Sequence, residues 1–245
     1  MGWGDDLMVT AEAREVFART GRKVVVGPRA EWSEVFEGNP HISRKIGEET
    51  LILDNYKGHR PYIGSTFGNR IHFTDYKARP GELYLKFRER KWAERAGAGF
   101  VLIEPNTKKT VFADNKEWGH QRYQAVVTAL PYRFVQIGPK KTLKGVDFVE
   151  TPTFRLACAV LERAALYLGG EGGLHHAAAA LRKPGVVIFG GHSDPNVTGY
   201  DGHVNIARGE ACGSFRSCDH CRQAMNSITV DEVAQAVRDV YEKSR

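Results

Sequence analysis

The sequence predicts an α/β protein made of two α/β halves, of which the second is the more regular. Three observations carry this. Short β-rich apolar runs alternate with helical patterns through the second half, which implies a parallel sheet covered on both faces. One β-α-β unit with a glycine-rich turn stands out, ALYLGGEGGLHHAAAALRKPGVVIFGG from Ala165 to Gly191. Gly97-Ala98-Gly99 separates an irregular first half from that alternation and reads as a hinge. The expected units are residues 1–97 and 98–245, with the chemistry in the cleft between them, outside the C-terminal strand ends.

Taken in order, a helical pattern runs over Leu7–Thr20 after Gly2-Trp3-Gly4-Asp5-Asp6, with Gly21 as its stop. Lys23–Val26 is a buried-strand candidate ended by Gly27 and Pro28, Ala30–Phe36 a short helix, and Gly38-Asn39-Pro40 a turn. Thr50–Leu53 and Arg70–Phe73 are strand candidates, and Gly81–Ala96 reads as a helix. The second half then alternates. Its strands are Phe100–Glu104, Arg133–Ile137, Ala165–Leu168 and Val186–Phe189. Its helices are Trp118–Leu130, Phe154–Arg163, Leu174–Arg182 and Thr229–Ser244, the last with Val230, Val233, Val237 and Val240 on one side.

Composition bounds the function. A chain of 245 residues, 42% hydrophobic and 26% charged, can bury a sizeable core. No apolar run approaches the ~20 residues needed to span a bilayer. The opening MGWGDDLM is neither basic nor apolar enough for a signal peptide, so a cytoplasmic location is expected. The net charge of +6 is dispersed, with clusters at Arg88, Arg90 and Lys91, at Lys108 and Lys109, and at Lys140, Lys141 and Lys144. Such a field favours a phosphorylated ligand or an anionic membrane surface. No basic stripe with interleaved aromatics is present, so dedicated nucleic-acid binding is not expected.

The candidate chemistry concentrates at the strand-to-helix turns. Gly169, Gly170, Gly172 and Gly173 surround Glu171 and let backbone N–H groups approach a ligand at the start of a helix, where the dipole favours a phosphate. The same glycines also suit a turn that is merely tight. His175 and His176 in the first helical turn favour the ligand reading, because a polar pair before four alanines is odd for a purely structural helix. Gly190-Gly191-His192-Ser193-Asp194 follows the next parallel strand and emerges on the same sheet edge. Lys116, just before a helix, can contact a phosphate or can be solvated beside an inward-packed Trp118. Asp5 and Asp6 are either helix caps or, at Asp5, a general base facing the cleft. Cys158 lies in an apolar helical pattern and reads as core. Cys212, Cys218 and Cys221, with His220 between the last two, have spacing that admits a structural zinc as well as simple reduced thiols.

At these residues the sequence resembles glycosyltransferase family 9, the ADP-heptose:lipopolysaccharide heptosyltransferases and their relatives. Gly4-Asp5-Asp6-Leu7 is similar to that family's N-terminal G-D turn, and Asn39-Pro40-His41-Ile42 to its N-P-x-I segment. Lys116-Glu117-Trp118 is similar to its K-x-W segment. Glu171–Gly191 is similar to its acid, Ser/Thr, Gly and His segment, with the Ala-rich helix, Pro and FG that follow. Cys221, Met225 and Ile228 lie in a tail region that is also similar. The resemblance implies a GT-B architecture, two Rossmann-like domains facing a cleft, the N-terminal one reduced here because no strand precedes the glycine turn. It implies an inverting transfer of heptose or a similar sugar from a nucleotide-sugar donor, ADP-linked, to a hydroxyl on a glycan or lipid-linked glycan, as in lipopolysaccharide biosynthesis, with no cofactor or metal required.

On that resemblance Asp5 deprotonates the acceptor. Lys116 and the Gly172–Gly173 helix start stabilise the diphosphate, with Gly190 and Gly191 beside them. Glu171 binds sugar hydroxyls, and His176 sits by the sugar or phosphates. Two departures stand out: Glu171 occupies a position where the family has Asp, and Gly172 replaces a hydroxyl residue. Two other readings stay open, a same-fold transferase with a non-glycan acceptor and a sugar-nucleotide-binding protein without turnover.

Overall fold

The computed structural model describes residues 2–27, 32–47, 49–53, 60–107 and 113–244. The Lys108–Lys109 cluster, Pro28 and the start of the short helix expected from Ala30 lie outside these residues. The first half contains α1 (Trp3–Thr20), β1 (Lys23–Val26), β2 (Thr50–Leu53), β3 (Ile63–Phe67), β4 (Arg70–Phe73) and α2 (Phe87–Ala93). The second contains β5 (Val101–Glu104), α3 (His120–Ala129), β6 (Phe134–Gly138), β7 (Asp147–Glu150), α4 (Phe154–Glu162), β8 (Leu166–Gly170) and α5 (Gly173–Ala180). It continues with β9 (Gly185–Gly190), α6 (Pro195–Thr198), β10 (His203–Ala207), α7 (Asp219–Ser227) and α8 (Val230–Lys243).

The main sheet has six strands, all parallel, in the order β10-β9-β8-β5-β6-β7. Numbered within the second half alone, that is the doubly wound order whose direction reverses between β5 and β8. The central strands β5, β8 and β9 are buried on both faces, as their unbroken apolar runs require. Leu102, Tyr167, Val187 and Phe189 point into one core layer with α1, α4 and α5. Val101, Ile103, Leu168 and Ile188 point into the other, beneath α3 and α8. Thr153 caps α4 and Thr229 caps α8, each hydroxyl accepting the N–H three residues on, at 3.2 Å in both cases.

Among the described residues the parallel sheet of the first half has two strands, β1 and β2. The largest element of this half, α1, lies on α5. The first half of α1 is buried all round, from Gly4 to Ala11, as a helix wedged between other elements must be. Trp3 stacks on Phe154 of α4, ring centroids 4.3 Å apart. This core layer draws residues from both sides of Gly97–Gly99.

Four expectations for local structure change. α1 begins at Trp3, not Leu7, so Asp5 and Asp6 lie in its first turn rather than in a loop before it. The Asp5 carboxylate accepts the Gly2 N–H at 3.3 Å and, with Trp3 packed on Phe154, carries the helix back to the chain start. Residues 81–86 are extended, and helix starts only at Phe87. Gly81 packs on the Leu7 carbonyl, and the Glu82 N–H donates to Thr10 Oγ1 at 2.7 Å, so tertiary contacts override the helical pattern. The helix expected over Ala30–Phe36 is, among the described residues, one 3₁₀ turn, Glu34–Phe36. β3, β7 and β10 are additional strands, β3 joined to β4 by Gly68 and Asn69, both at positive φ.

Candidate donor site and cysteine cluster

The reversal point between β5 and β8 places three loops together at the C-terminal sheet edge. Glu171 directly follows β8, Lys116 lies in the segment between β5 and α3, and Ser193 follows β9. Trp118 anchors the lysine segment: it is buried, and its indole N–H donates to the Ile228 carbonyl at 3.0 Å. The Lys116 ammonium contacts Glu171 Oε2, and Ser193 Oγ lies 3.3 Å from the same oxygen. His176 Nε2 is 3.8 Å from Glu171 Oε1, while its Nδ1 lies 2.7 Å from the Tyr200 hydroxyl. Burial alone would raise the Glu171 pKa. The Lys116 ammonium and His176 outweigh it and hold the carboxyl well below its ordinary value, so it is ionised at neutral pH.

α1 meets this cluster at Gly4, the residue before Asp5. Gly4 faces His176 so closely that a β-carbon would sit 2.5 Å from the ring. Asp5 Oδ1 accepts the Tyr62 hydroxyl at 2.6 Å, and Arg60 Nη2 lies 3.3 Å from Oδ2. Burial, then the Asp5 charge, raise the Tyr62 pKa, which keeps its proton on the phenol. Asp6 points away and accepts the Ser33 hydroxyl at 2.6 Å.

The glycines divide into two groups. Gly172 precedes α5 with open space where a side chain would project, and Gly173 lies against Phe154 and Trp3. Gly190 and Gly191, expected at the donor, instead admit α7. A β-carbon at Gly190 would meet Met225 at 2.6 Å, and one at Gly191 would meet Ala224 and His220 at 2.8 Å. His175 points inward, fully buried among Phe189, Tyr200, His203 and His176, and neither ring nitrogen has a hydrogen-bond partner. Burial, with His176 and His203 nearby, keeps it neutral.

Sequence reasoning does not find Arg60, Tyr62, Tyr200 or Glu104. Glu104 ends β5 at the reversal point, and burial pushes its carboxyl up to about 7 against hydrogen bonds from Asn106. An acid at the end of the first strand of a doubly wound sheet is a signal that could have found it.

The four residues Cys212, Cys218, His220 and Cys221 converge, their ligand atoms all within 4.8 Å of one another. Cys212 Sγ lies 3.7 Å from Cys218 Sγ and 3.1 Å from Cys221 Sγ, with no disulfide. Tetrahedral thiolate ligation at about 2.3 Å puts sulfurs about 3.8 Å apart, so the donor set fits a Cys₃His metal ion. Burial alone would raise the Cys218 pKa. Hydrogen bonds from Cys221 and Cys212 outweigh it and lower the Cys218 thiol, while burial and the two neighbouring sulfurs raise that of Cys221. Glu171, His175 and His176 form a second such group, but the Lys116 ammonium already lies against its carboxylate.

No protein-family model and no curated protein sequence matches the chain. Its fold is that of the family 9 glycosyltransferases. Over 99% of this chain it matches a glycosyl transferase family 9 structure from Veillonella parvula, covering 95% of that chain at 13% identity and TM-score 0.67. Over its whole length it matches the iron-containing dodecameric glycosyltransferase TibC from enterotoxigenic Escherichia coli, covering 75% of that chain at 16% identity and TM-score 0.69. TibC was also solved with ADP-D-β-D-heptose, and the chain matches 64% of that structure at TM-score 0.55. The chain spans 54% of the Escherichia coli ADP-heptose LPS heptosyltransferase II, with 66% of this chain covered at 18% identity and TM-score 0.49. Among the described residues no helix is long and apolar enough to cross a membrane.

Proposed function

We propose that the protein is an inverting glycosyltransferase that moves a sugar, heptose or a close relative, from an ADP-linked donor to a hydroxyl acceptor on a glycan. The observation that carries this reading is the meeting of Lys116, Glu171 and His176 of α5 at the sheet reversal, with Gly4, the residue before Asp5, packed against His176. The ADP-D-β-D-heptose complex of a protein with this fold supports the choice of donor.

In the proposed reaction Asp5 takes the proton of the acceptor hydroxyl, whose oxygen bonds to the anomeric carbon from the face opposite the leaving group. The bond from that carbon to the diphosphate oxygen breaks, and its electron pair leaves with the diphosphate. Lys116 and the unpaired N–H groups at the start of α5 stabilise the growing charge. Glu171, ionised and accepting, orients sugar hydroxyls. Tyr62 and Arg60 hold the Asp5 carboxylate in place, and the acceptor must reach a lone pair they leave open.

The reaction centre works without a metal in this reading. Cys212, Cys218, His220 and Cys221 would hold a structural ion, iron or zinc. The donor set and the iron of a protein with this fold support that assignment. When bound, such an ion supplies loop closure and neutralises the thiolates.

A second reading, sugar-nucleotide binding without turnover, is favoured by the engagement of both Asp5 oxygens. Thermal stabilisation by ADP, UDP and GDP, followed by donor turnover with wild type and Asp5→Asn, separates the two. The transferase reading expects stabilisation by ADP alone and turnover that Asp5→Asn removes. Binding with no turnover in either form supports the second reading. An absence of stabilisation by any of the three nucleotides defeats both.

A further inference from the structure

The cysteine cluster and the candidate donor site share their supporting loops. Residues 208–218 form no helix or strand, apart from an isolated bridge between Arg70 and Ser214. The course of this segment is set by what it bonds to. The Cys212 N–H donates to the Gly191 carbonyl and the Gly213 N–H to the His192 carbonyl, both at 3.0 Å. His192, 1% exposed, donates from Nε2 to the Ser214 carbonyl at 3.0 Å and presents Nδ1 to Ser193 Oγ at 3.1 Å. That hydroxyl is the one beside Glu171.

Asn115, also 1% exposed, reaches the segment from the other side. It donates from Nδ2 to the carbonyls of Ser214 at 3.2 Å and Arg216 at 2.7 Å, and its Oδ1 accepts the Cys218 N–H at 3.0 Å. The next residue is Lys116. The backbone around Ser214 therefore ties Cys218 to both members of the Lys116–Glu171 pair, by two independent side chains. The β3–β4 hairpin joins at the same place: the Ile71 N–H donates to the Gly213 carbonyl at 2.8 Å and the Phe215 N–H to the Asn69 carbonyl at 2.9 Å.

We propose that a metal ion on Cys212, Cys218, His220 and Cys221 sets the placement of Lys116 and Glu171, and that Asn115 and His192 are the positioning residues through which it acts. The placement of the donor diphosphate on Lys116 and Glu171 is the reading this rests on. Ligation closes the stretch from Cys212 to Cys221 around one point. Without the ion, three thiols within one small volume separate, and the Ser214, Arg216 and Cys218 backbone groups shift away from Asn115 and His192. Groups one bond removed from a metal ligand are fixed by it as firmly as they fix it.

The test compares full-length protein loaded with zinc or iron and the same protein stripped by a chelator under reducing conditions. Metal content and circular dichroism are checked on both forms. Hydrogen exchange probes the positioning link without any nucleotide. Stripping should speed exchange in segments 113–118 and 190–194 while leaving β6 and β7 protected. Faster exchange confined to 208–221, or a chain that takes up neither metal, overturns the proposal. ADP binding then reads the coupling: stripping should weaken it by on the order of tenfold. Asn115→Ala should keep its metal, bind ADP more weakly than loaded wild type, and lose less than wild type does on stripping, the remainder passing through His192. His192→Gln, whose amide still reaches the Ser214 carbonyl, should behave as wild type, and His192→Ala should not. Equal ADP affinity of loaded and stripped wild type overturns the coupling. If ADP binds neither form while exchange responds as expected, the donor reading fails and the positioning link stands.

Discussion

At the scale of single residues the Lys116–Glu171 pair dominates. Lys116 offers about a fifth of its side chain to solvent and Glu171 a tenth, so neither charge is well hydrated. Removing one member of such a pair strands the other and costs about 3–5 kcal/mol, whereas removing both is far milder. Lys116→Met should therefore destabilise the protein by roughly 3 kcal/mol, and Lys116→Met with Glu171→Gln by clearly less. Urea unfolding of the two single variants and the double decides it. If the three losses simply add, the two side chains do not act as a pair. The double variant should still fail to bind ADP, which separates stability from site chemistry. Both residues are legible in the sequence from their neighbours, Trp118 and the glycines. Arg60 and Tyr62 are not, because nothing local marks them. They matter only because the chain before β3 returns to the first turn of α1.

At the scale of elements the α1–α5 contact is the most demanding. Four alanines in α5 and Gly4 in α1 bring the two helices together, and His176 occupies the room Gly4 leaves. Alanine at position 4 favours helix by about 1 kcal/mol over glycine, but its β-carbon would overlap a ring that is itself buried. Overpacking of this kind costs about 1–3 kcal/mol. Gly4→Ala should be destabilising in wild type and stabilising in a His176→Ala background, as measured by thermal unfolding of the four forms. The same sign in both backgrounds would show that His176 is not the obstacle.

Elements of this molecule are readable wherever burial is two-sided. β5, β8, β9 and the amphipathic α8 all announce themselves by apolar runs or 3.6-residue spacing. The edge strands β7 and β10 are short and mixed in polarity, and no pattern reveals either. β3 escapes notice although Gly68-Asn69 between two short runs is a hairpin signal, because Ile63–Phe67 stays mostly exposed. Residues 81–86 mimic a helix in sequence because their real partners are the Leu7 carbonyl and Thr10, which no periodicity shows. Gly190 and Gly191 look like ligand glycines, but what approaches them is a helix of the same chain.

At the scale of the whole molecule, one core layer spans Gly97–Gly99, and Arg155 of α4 fastens the first half to it. Its guanidinium holds both Glu89 oxygens, at 2.7 and 2.8 Å, and donates to the carbonyls of Glu34 at 3.0 Å and Tyr84 at 2.6 Å. Calorimetry should show a single unfolding transition, and Arg155→Met should lower it by the equivalent of about 3 kcal/mol or more without splitting it. Two resolved transitions would mean that the halves unfold separately. Acid should unfold this molecule early, for a reason spread across the core. His175 is held well below its ordinary value, and His192 and His203 titrate near 4, all three chiefly through burial. The unfolded chain protonates these rings near 6.5, so below that pH it binds protons the folded chain refuses, and stability falls as pH falls. For His192 and His203 the loss runs from about 6.5 down to about 4. Glu104 acts in the opposite sense. Raised to about 7, it is protonated in the fold between about 4.5 and 7 and cancels about one histidine there. Glu171, held low, keeps its contribution until pH drops below 4.5. Glu12, raised by burial, acts in the same sense as Glu104, so the histidines outweigh the acids and stability rises with pH between pH 5 and 6. His175→Leu should flatten that slope and raise stability at pH 5 more than at pH 7, because it removes a buried ring that the fold keeps neutral and whose two nitrogens are unpaired. Urea unfolding at half-unit steps from pH 5 to 7 measures both, and equal wild-type stability across that range would show that the buried histidines do not couple to folding.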